Sequence, residues 1–203
     1  MKRVHLPPCL KTERVVVVDV ETTGFKNSDR VIELGLIWIE DEEVIMDLSK
    51  LCNPGIVLPD EIVELTGITQ EEVEEADDFE VIADFLIDVM QGPSTVVAYN
   101  SKFDFRFLRK EVQWCGKELD ISDSVIDPLP WVRNEDRGKK CSLSIACKRR
   151  GVRVKDAHRA LADCYMTVGL METLRMPPTL MEALEFQHSI GDGYNKCRHR
   201  SRR

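Results

Sequence analysis

No stretch of this 203-residue chain is apolar for long enough to cross a bilayer. The nearest candidates, such as Val31 to Ile39, are short and carry Glu33, whereas a spanning helix needs about 20 apolar residues. The apolar centre of a secretory signal is missing as well: Lys2 and Arg3 are followed by Pro7, Pro8, Lys11 and Glu13. The seven cysteines are odd in number and include no Cys-x-x-Cys pair. That excludes a complete disulfide framework and the usual zinc spacing, and it points to reduced thiols and a cytoplasmic setting. Internal repeats and low-complexity segments are absent. So is any overall positive charge, since 28 Lys and Arg stand against 36 Asp and Glu, a net of -8. The chain as a whole therefore does not attract polyanions.

The charge that is present is unevenly spread. Acids crowd the segment from Asp60 to Glu80, while Arg133 to Arg159 holds ten Lys or Arg against Glu135, Asp136 and Asp156. The end is basic again at Lys196, Arg198, Arg200, Arg202 and Arg203. Such polarity lets one face approach phosphates while another stays solvated, although solubilising surface explains the same pattern. Hydrophobic content of 43% and charged content of 32% describe a globular chain long enough to bury one core.

The most informative stretch is Arg14-Val15-Val16-Val17-Val18-Asp19-Val20-Glu21-Thr22-Thr23-Gly24. Four β-branched residues in a row suit a strand enclosed on both faces. Asp19 and Glu21 lie two apart, so both carboxylates leave that strand on one side. Like charges so placed repel unless a cation lies between them. Carboxylate oxygen suits hard divalent ions. Ordinary capping of Thr22 or Thr23 is the competing account.

Strands are expected next at Val31 to Glu40 and Val44 to Leu51, making a meander. Short helices follow around Glu61 to Leu65 and Gln70 to Glu75, the second begun by a capping box of Thr69 and Glu72. Phe79 to Met90 reads as an amphipathic helix with Val81, Ile82, Phe85, Leu86 and Val89 on one stripe. Thr95 to Tyr99 is a fourth strand, Phe103 to Cys115 a helix, and Val125-Ile126 a short fifth strand. Helices over Ser142 to Arg150, Arg159 to Met176 and Thr179 to Ser189 precede a disordered basic end. A meander feeding strand–helix units implies an α/β fold with a mixed five-stranded sheet flanked by helices.

Two later clusters carry chemistry. In Asn100-Ser101-Lys102-Phe103-Asp104-Phe105-Arg106-Phe107-Leu108 an acid sits in the first turn of a helix, where the macrodipole favours it. Phe103 and Phe107 are four apart, placed either to stack on a base or to join the core. In His158-Arg159-Ala160-Leu161-Ala162-Asp163, Asp163 lies one turn inside an apolar helix and needs a partner. His158 stands at that helix's mouth. Asp127, ahead of Pro128, reads as structural.

Taken together, Asp19-x-Glu21, Asn100-x-x-Phe103-Asp104-x-x-Phe107-Leu108 and His158-x-Ala160-x-x-Asp163-x-x-x-Thr167 resemble the three ordered motifs of the DEDDh 3′→5′ exonucleases. These form the histidine branch of the ribonuclease H-like superfamily. Asn53-Pro54-Gly55, Pro59-x-Glu61, Leu65-Thr66-Gly67-Ile68-Thr69 and Ser142-Leu143 look like the epsilon subunits and PolC-type exonuclease domains of bacterial DNA polymerase III. The likeness spans Arg14 to Leu174, with Tyr99 standing where many relatives have histidine. It implies an N-terminal extension over 1–13, an exonuclease domain over 14–176, and a C-terminal helix with basic tail over 177–203.

The resemblance also implies a mechanism. Asp19, Glu21, Asp104 and Asp163 would hold two Mg²⁺ or Mn²⁺, with Asp19 bridging, and His158 would deprotonate the attacking water. Thr22, Thr23 and Gly24 would hold the terminal nucleotide, with Glu61, Thr66, Asn100 and Phe103 around its sugar and base. The expected product is nucleoside 5′-monophosphate from the 3′ end of single-stranded or frayed DNA, with proofreading and a polymerase subunit as the setting. Exoribonuclease trimming and a non-catalytic polymerase-binding or nucleic-acid-binding module are the alternatives, and no membrane is involved.

Overall fold

The computed structural model describes residues 2–121 and 124–200, with side chains followed to residue 191. The basic tail side chains at Lys196, Arg198 and Arg200, and all of Arg202 and Arg203, lie outside the described residues. The elements are β1 (Lys2–Arg3), β2 (Val15–Thr22), β3 (Val31–Glu40), β4 (Glu43–Leu51), α1 (Asp60–Thr66), α2 (Gln70–Glu74) and α3 (Glu80–Gln91). They continue with β5 (Thr95–Val97), α4 (Ser101–Trp114), β6 (Val125–Ile126), α5 (Pro128–Glu135), α6 (Leu143–Arg149), α7 (Ala160–Glu172) and α8 (Leu180–Arg200). Among the described residues no helix is long and apolar enough to cross a membrane.

One mixed sheet runs in the order β1-β4-β3-β2-β5-β6. The meander β2-β3-β4 is antiparallel, while β5 and β6 add to β2 in parallel. The sheet has six strands rather than the five expected. The additional one comes from the N-terminal segment, where Lys2 and Arg3 pair with Val44 and Glu43. That segment also buries Leu6, Cys9 and Leu10 against β2, β3 and α5 to α8. A two-residue strand preceding a 3₁₀ turn has no period to read, so it escapes detection by alternation.

The valine run of β2 is explained by layers on both faces. Val15 and Val17 join a core shared with α5, α6, α7 and α8, whereas Val16, Val18 and Val20 join one shared with α3 and α4. Strand alternation then continues the Val15 and Val17 row into Asp19 and Glu21, so both acids project on the α7 side. A β-bulge between Glu21 and Thr22 ends regular pairing at this point.

Helix α3 turns its Ile82, Ala83, Leu86, Val89 and Met90 inward. Val81, expected on that stripe, is instead 67% exposed, because the buried row begins one residue later. Thr69 and Glu72 close the capping box at α2. Ser142 occupies the N-cap of α6 but makes no side-chain cap bond. Gln187 of α8 accepts from Asp127 N at 2.7 Å and donates to Val125 O at 2.9 Å. Its side-chain amide thus stands in for a further strand at the β6 edge.

The N-terminal segment contributes to the same core as the sheet, so Leu10→Ala is expected to lower the unfolding free energy by ~2–4 kcal/mol. Urea titration followed by circular dichroism checks this, and an unchanged midpoint would show that the segment is peripheral.

Candidate active site

The acids converge because α7 begins on top of β3. Asp19 pairs with Gly35 across the sheet, and a Cβ on Gly35 would fall 2.3 Å from Ala160 C and 2.4 Å from Leu161 N. Only a glycine leaves room for the first turn of the helix to touch the strand. Glu33, which pairs with Glu21, is wholly buried and accepts from Ala160 N at 2.9 Å. It also takes Arg159 Nε at 3.1 Å and Nη2 at 2.9 Å, and Ser49 Oγ at 2.7 Å. Asp163, one turn into α7, is thereby delivered to β2.

His158 has φ +69, a left-handed conformation that non-glycine residues seldom adopt. Its N–H donates to Asp163 Oδ1 at 3.2 Å, which fixes the residue against the helix it precedes. Ligand atoms of Glu21, His158 and Asp163 all lie within 4.8 Å of one another. Asp104 reaches the same place from α4. It is buried, its Oδ1 accepts from Val20 N at 3.2 Å, and its carboxylate also takes its own backbone N–H, so it ties the first turn of α4 to β2 between the two strand acids.

The cost of this convergence is visible in the acids themselves. Burial first, then the charges of Asp104, Asp163, Glu21 and Glu33, hold the Asp19 carboxyl well above its ordinary range. Burial likewise raises Asp104 well above that range, against the pull of the N–H bonds it accepts. Glu21 is pushed up to about 8 by burial, Asp163 and Glu33, with Arg159 offsetting part. Asp163 rises to about 6, chiefly by burial. Five carboxylates share this corner, with Arg159 bound to one of them. Oxygen donors with one imidazole are the chemistry that a divalent cation fits.

The expected substrate-side residues differ in how far their groups are already engaged. Thr22 and Thr23 are buried, and their hydroxyls are engaged by Gly24 O and Arg30 N respectively. A Cβ on Gly24 would fall 2.5 Å from Asp29 Oδ2, which keeps that loop tight. Asn100 is exposed, with φ +69, and is held by Asp127, whose carboxylate accepts from Asn100 N, Ser101 N and Ser101 Oγ while capping α5 at Leu129 N. Phe103 packs at a tilt against Phe107 at 4.9 Å and Phe25 at 6.0 Å between ring centroids. Glu61 is exposed in the first turn of α1. The Thr66 hydroxyl donates to Ile62 O and accepts from Ile68 N, so it closes α1 locally.

Three residues at the site had no assigned role in the sequence reading. Glu33 interrupts an otherwise apolar strand, which is the signal that could have found it. Gly35 offers none without the helix above it. Phe25, 74% exposed directly after the Gly24 turn, presents an aromatic ring beside Phe103. The basic stretch also differs from expectation. Arg149 and Arg150 are bound to Asp136, Arg150 also to Glu135, and Arg159 to Glu33, so these cations neutralise internal acids rather than face phosphates.

Residues 16–171 match the RNase_T family, described as an exonuclease. The PolC-type DNA polymerase III of Clostridium perfringens is 34% identical over 163 residues, covering 79% of this chain and 11% of that protein. The 3′-5′ exonuclease DinG of Bacillus subtilis is 32% identical over 193 residues, covering 90% of this chain and 20% of its own length. The chain thus spans a fifth or less of these curated relatives. Among solved structures, E. coli exonuclease I with a dT13 oligonucleotide superposes with TM-score 0.70 at 20% identity, over 79% of this chain and 40% of that one. Exonuclease X with 5′-overhanging duplex DNA gives 0.61 at 23%, over 78% and 89%. At these identities the structures establish a shared fold.

Raised carboxyls mean that the folded, metal-free protein keeps protons the unfolded chain has released. Stability from Glu21 and Asp163 is therefore full below the ordinary carboxyl range and is lost as pH rises through about 6 and about 8. Calorimetry in chelator should give a falling Tm between pH 5 and pH 8, with millimolar Mg²⁺ or Mn²⁺ restoring it at pH 8 and Asp104→Asn flattening the decline. A Tm independent of pH and of metal would remove the electrostatic description of the site.

Proposed function

The chain belongs to the RNase_T exonuclease family, and from that premise we propose that it hydrolyses DNA from the 3′ end, releasing nucleoside 5′-monophosphates. The observation that carries this reading is the convergence of Asp19, Glu21, Asp104 and Asp163, from three separate elements, beside the imidazole of His158. In this reading the four carboxylates would hold two Mg²⁺ or Mn²⁺. When bound, such ions polarise the phosphoryl oxygens, stabilise the leaving oxygen and make water acidic enough to ionise near neutrality.

The protein's own groups supply the rest. His158 stands at the edge of the cluster and takes the proton of the attacking water as general base. Asp163 fixes His158 through its backbone N–H, so the base does not drift from the acids. Water oxygen bonds to phosphorus, the P–O3′ bond breaks, and the departing nucleotide keeps the phosphate on its 5′ oxygen. The shortened strand keeps a 3′ hydroxyl. Backbone groups of Thr22 to Gly24 face the terminal nucleotide, and Phe25 with Phe103 offers rings on which an unpaired base stacks. Glu61, Thr66 and Asn100 border that nucleotide in the same reading.

DNA is the substrate we favour, since the named relatives are a DNA polymerase and the exonuclease DinG. A polymerase subunit or domain is the corresponding partner, and proofreading the corresponding task. A reduced, cytoplasmic setting agrees with the free thiols of all six described cysteines. We retain the division into an extension over 1–13, the exonuclease domain over 14–176, and the C-terminal helix and tail over 177–203.

On 5′-labelled single strands the protein should yield a 3′→5′ ladder with divalent metal and none with chelator, and matched RNA should be cut more slowly. His158→Ala should lower kcat by ~10²–10⁴-fold while the metal-induced rise in Tm persists. Wild-type kcat in that variant would exclude the imidazole as base, and equal or faster cutting of RNA would reverse the substrate assignment.

A further inference from the structure

The mechanism leaves unused a groove of about 630 Å³ on the side of α7 that carries Leu161, Ala162, Tyr165 and Met166. Its lining includes Glu33 and Arg159, the pair that docks α7 beside the carboxylate cluster. Its rim carries Lys2 of β1 with Arg153 and Lys155 of the α6–α7 connection. Val152, Leu161 and Tyr165 give it an apolar floor. The tyrosine is held rigid, with the Lys2 ammonium 3.4 Å above its ring and its hydroxyl bonded to Asp47 at 2.5 Å.

Two carboxylates lie in the groove, and each is answered: Glu33 by Arg159 at 2.9 Å and Asp156 by Lys155 at 3.4 Å. Among the described residues Lys2 and Arg153 have no carboxylate partner, so the groove is net positive in a chain of net charge -8. A positive rim over an apolar floor matches a single strand, whose phosphates seek cations and whose unpaired bases seek apolar surface. A duplex presents phosphates alone and would leave the floor unused.

We propose that this groove carries the unpaired nucleotides immediately 5′ of the scissile phosphate, gripping their phosphates with Lys2 and Arg153. The proposal rests on the exonuclease reading and adds to it the path by which the strand leaves the catalytic corner. It also gives the N-terminal strand a role in substrate binding, since β1 supplies one of the two cations.

The test is the double variant Lys2→Glu/Arg153→Glu, which alters exposed side chains outside the catalytic cluster. In calcium, anisotropy of a labelled single-stranded DNA 20-mer should report at least ~10-fold weaker binding at low salt, and the slope of log affinity against log salt should become shallower by about 1.4, at about 0.7 per lost phosphate contact. In Mg²⁺ or Mn²⁺, kcat/KM for the 20-mer should fall in parallel, while hydrolysis of the p-nitrophenyl ester of thymidine 5′-monophosphate stays at the parent rate. The reversal Lys139→Glu/Lys140→Glu, at exposed cations away from the groove, should leave both substrates unaffected. Unchanged 20-mer binding overturns the proposal, as does an equal loss on the small ester or in the Lys139/Lys140 control. A loss confined to frayed duplexes would assign the groove to the complementary strand and overturn it too. If the parent protein cleaves neither substrate, the exonuclease reading fails, while anisotropy still decides whether the groove binds a strand.

Discussion

The first turn of α7 resting on β3 is the contact on which the acidic corner depends. Gly35 removes the side chain that would hold the helix off, and Glu33 ties down both Ala160 N and the Arg159 guanidinium. A buried ion pair of this kind adds little net stability by itself, but loss of one partner leaves a charge stranded. Its value here is positional. Asp163 and His158 stand on either side of that anchor, and their distance to Glu21 is fixed by it.

What the anchor brings together resists being together. Asp19, Glu21, Asp104 and Asp163 are desolvated and mutually repelling, and their carboxyls are raised accordingly. The surrounding structure supplies the compensation through satisfied hydrogen bonds. Val20 N donates to Asp104, His158 N to Asp163, and Asp127 collects the N–H groups that turn β5 into α4. Arg30, bidentate to the buried Glu111, similarly holds the β2–β3 loop that carries Thr22 to Gly24. Concentrated negative charge with a rigid frame makes a divalent cation the natural complement of the site.

Charge elsewhere obeys the same logic of local pairing. Among the cations of the basic stretch, Arg149 and Arg150 are bound to Asp136 within it and Arg159 to Glu33 far from it in sequence. A run of like charges reports composition, whereas attraction for phosphate depends on which cations remain uncommitted on one surface. Among the described cations lining the groove beside α7, Lys2 and Arg153 have no carboxylate partner.

The valine run, the alternation that puts Asp19 and Glu21 on one side, the capping box at Thr69 and the order of three acidic motifs were all legible in the chain. Each depends on local period or local hydrogen bonding, which a linear reading contains. Val81 misled because one extra apolar residue shifts a helical stripe by about a third of a turn. The sixth strand was invisible because two residues carry no alternation, and Gly35 because its reason is a helix 125 residues later. The residue types for the chemistry were therefore determined by the sequence alone. Which of them meet, which cations are spent on internal acids, and how tightly α7 lies on the sheet were decided only by tertiary packing, since contact between distant segments is a property of the folded backbone.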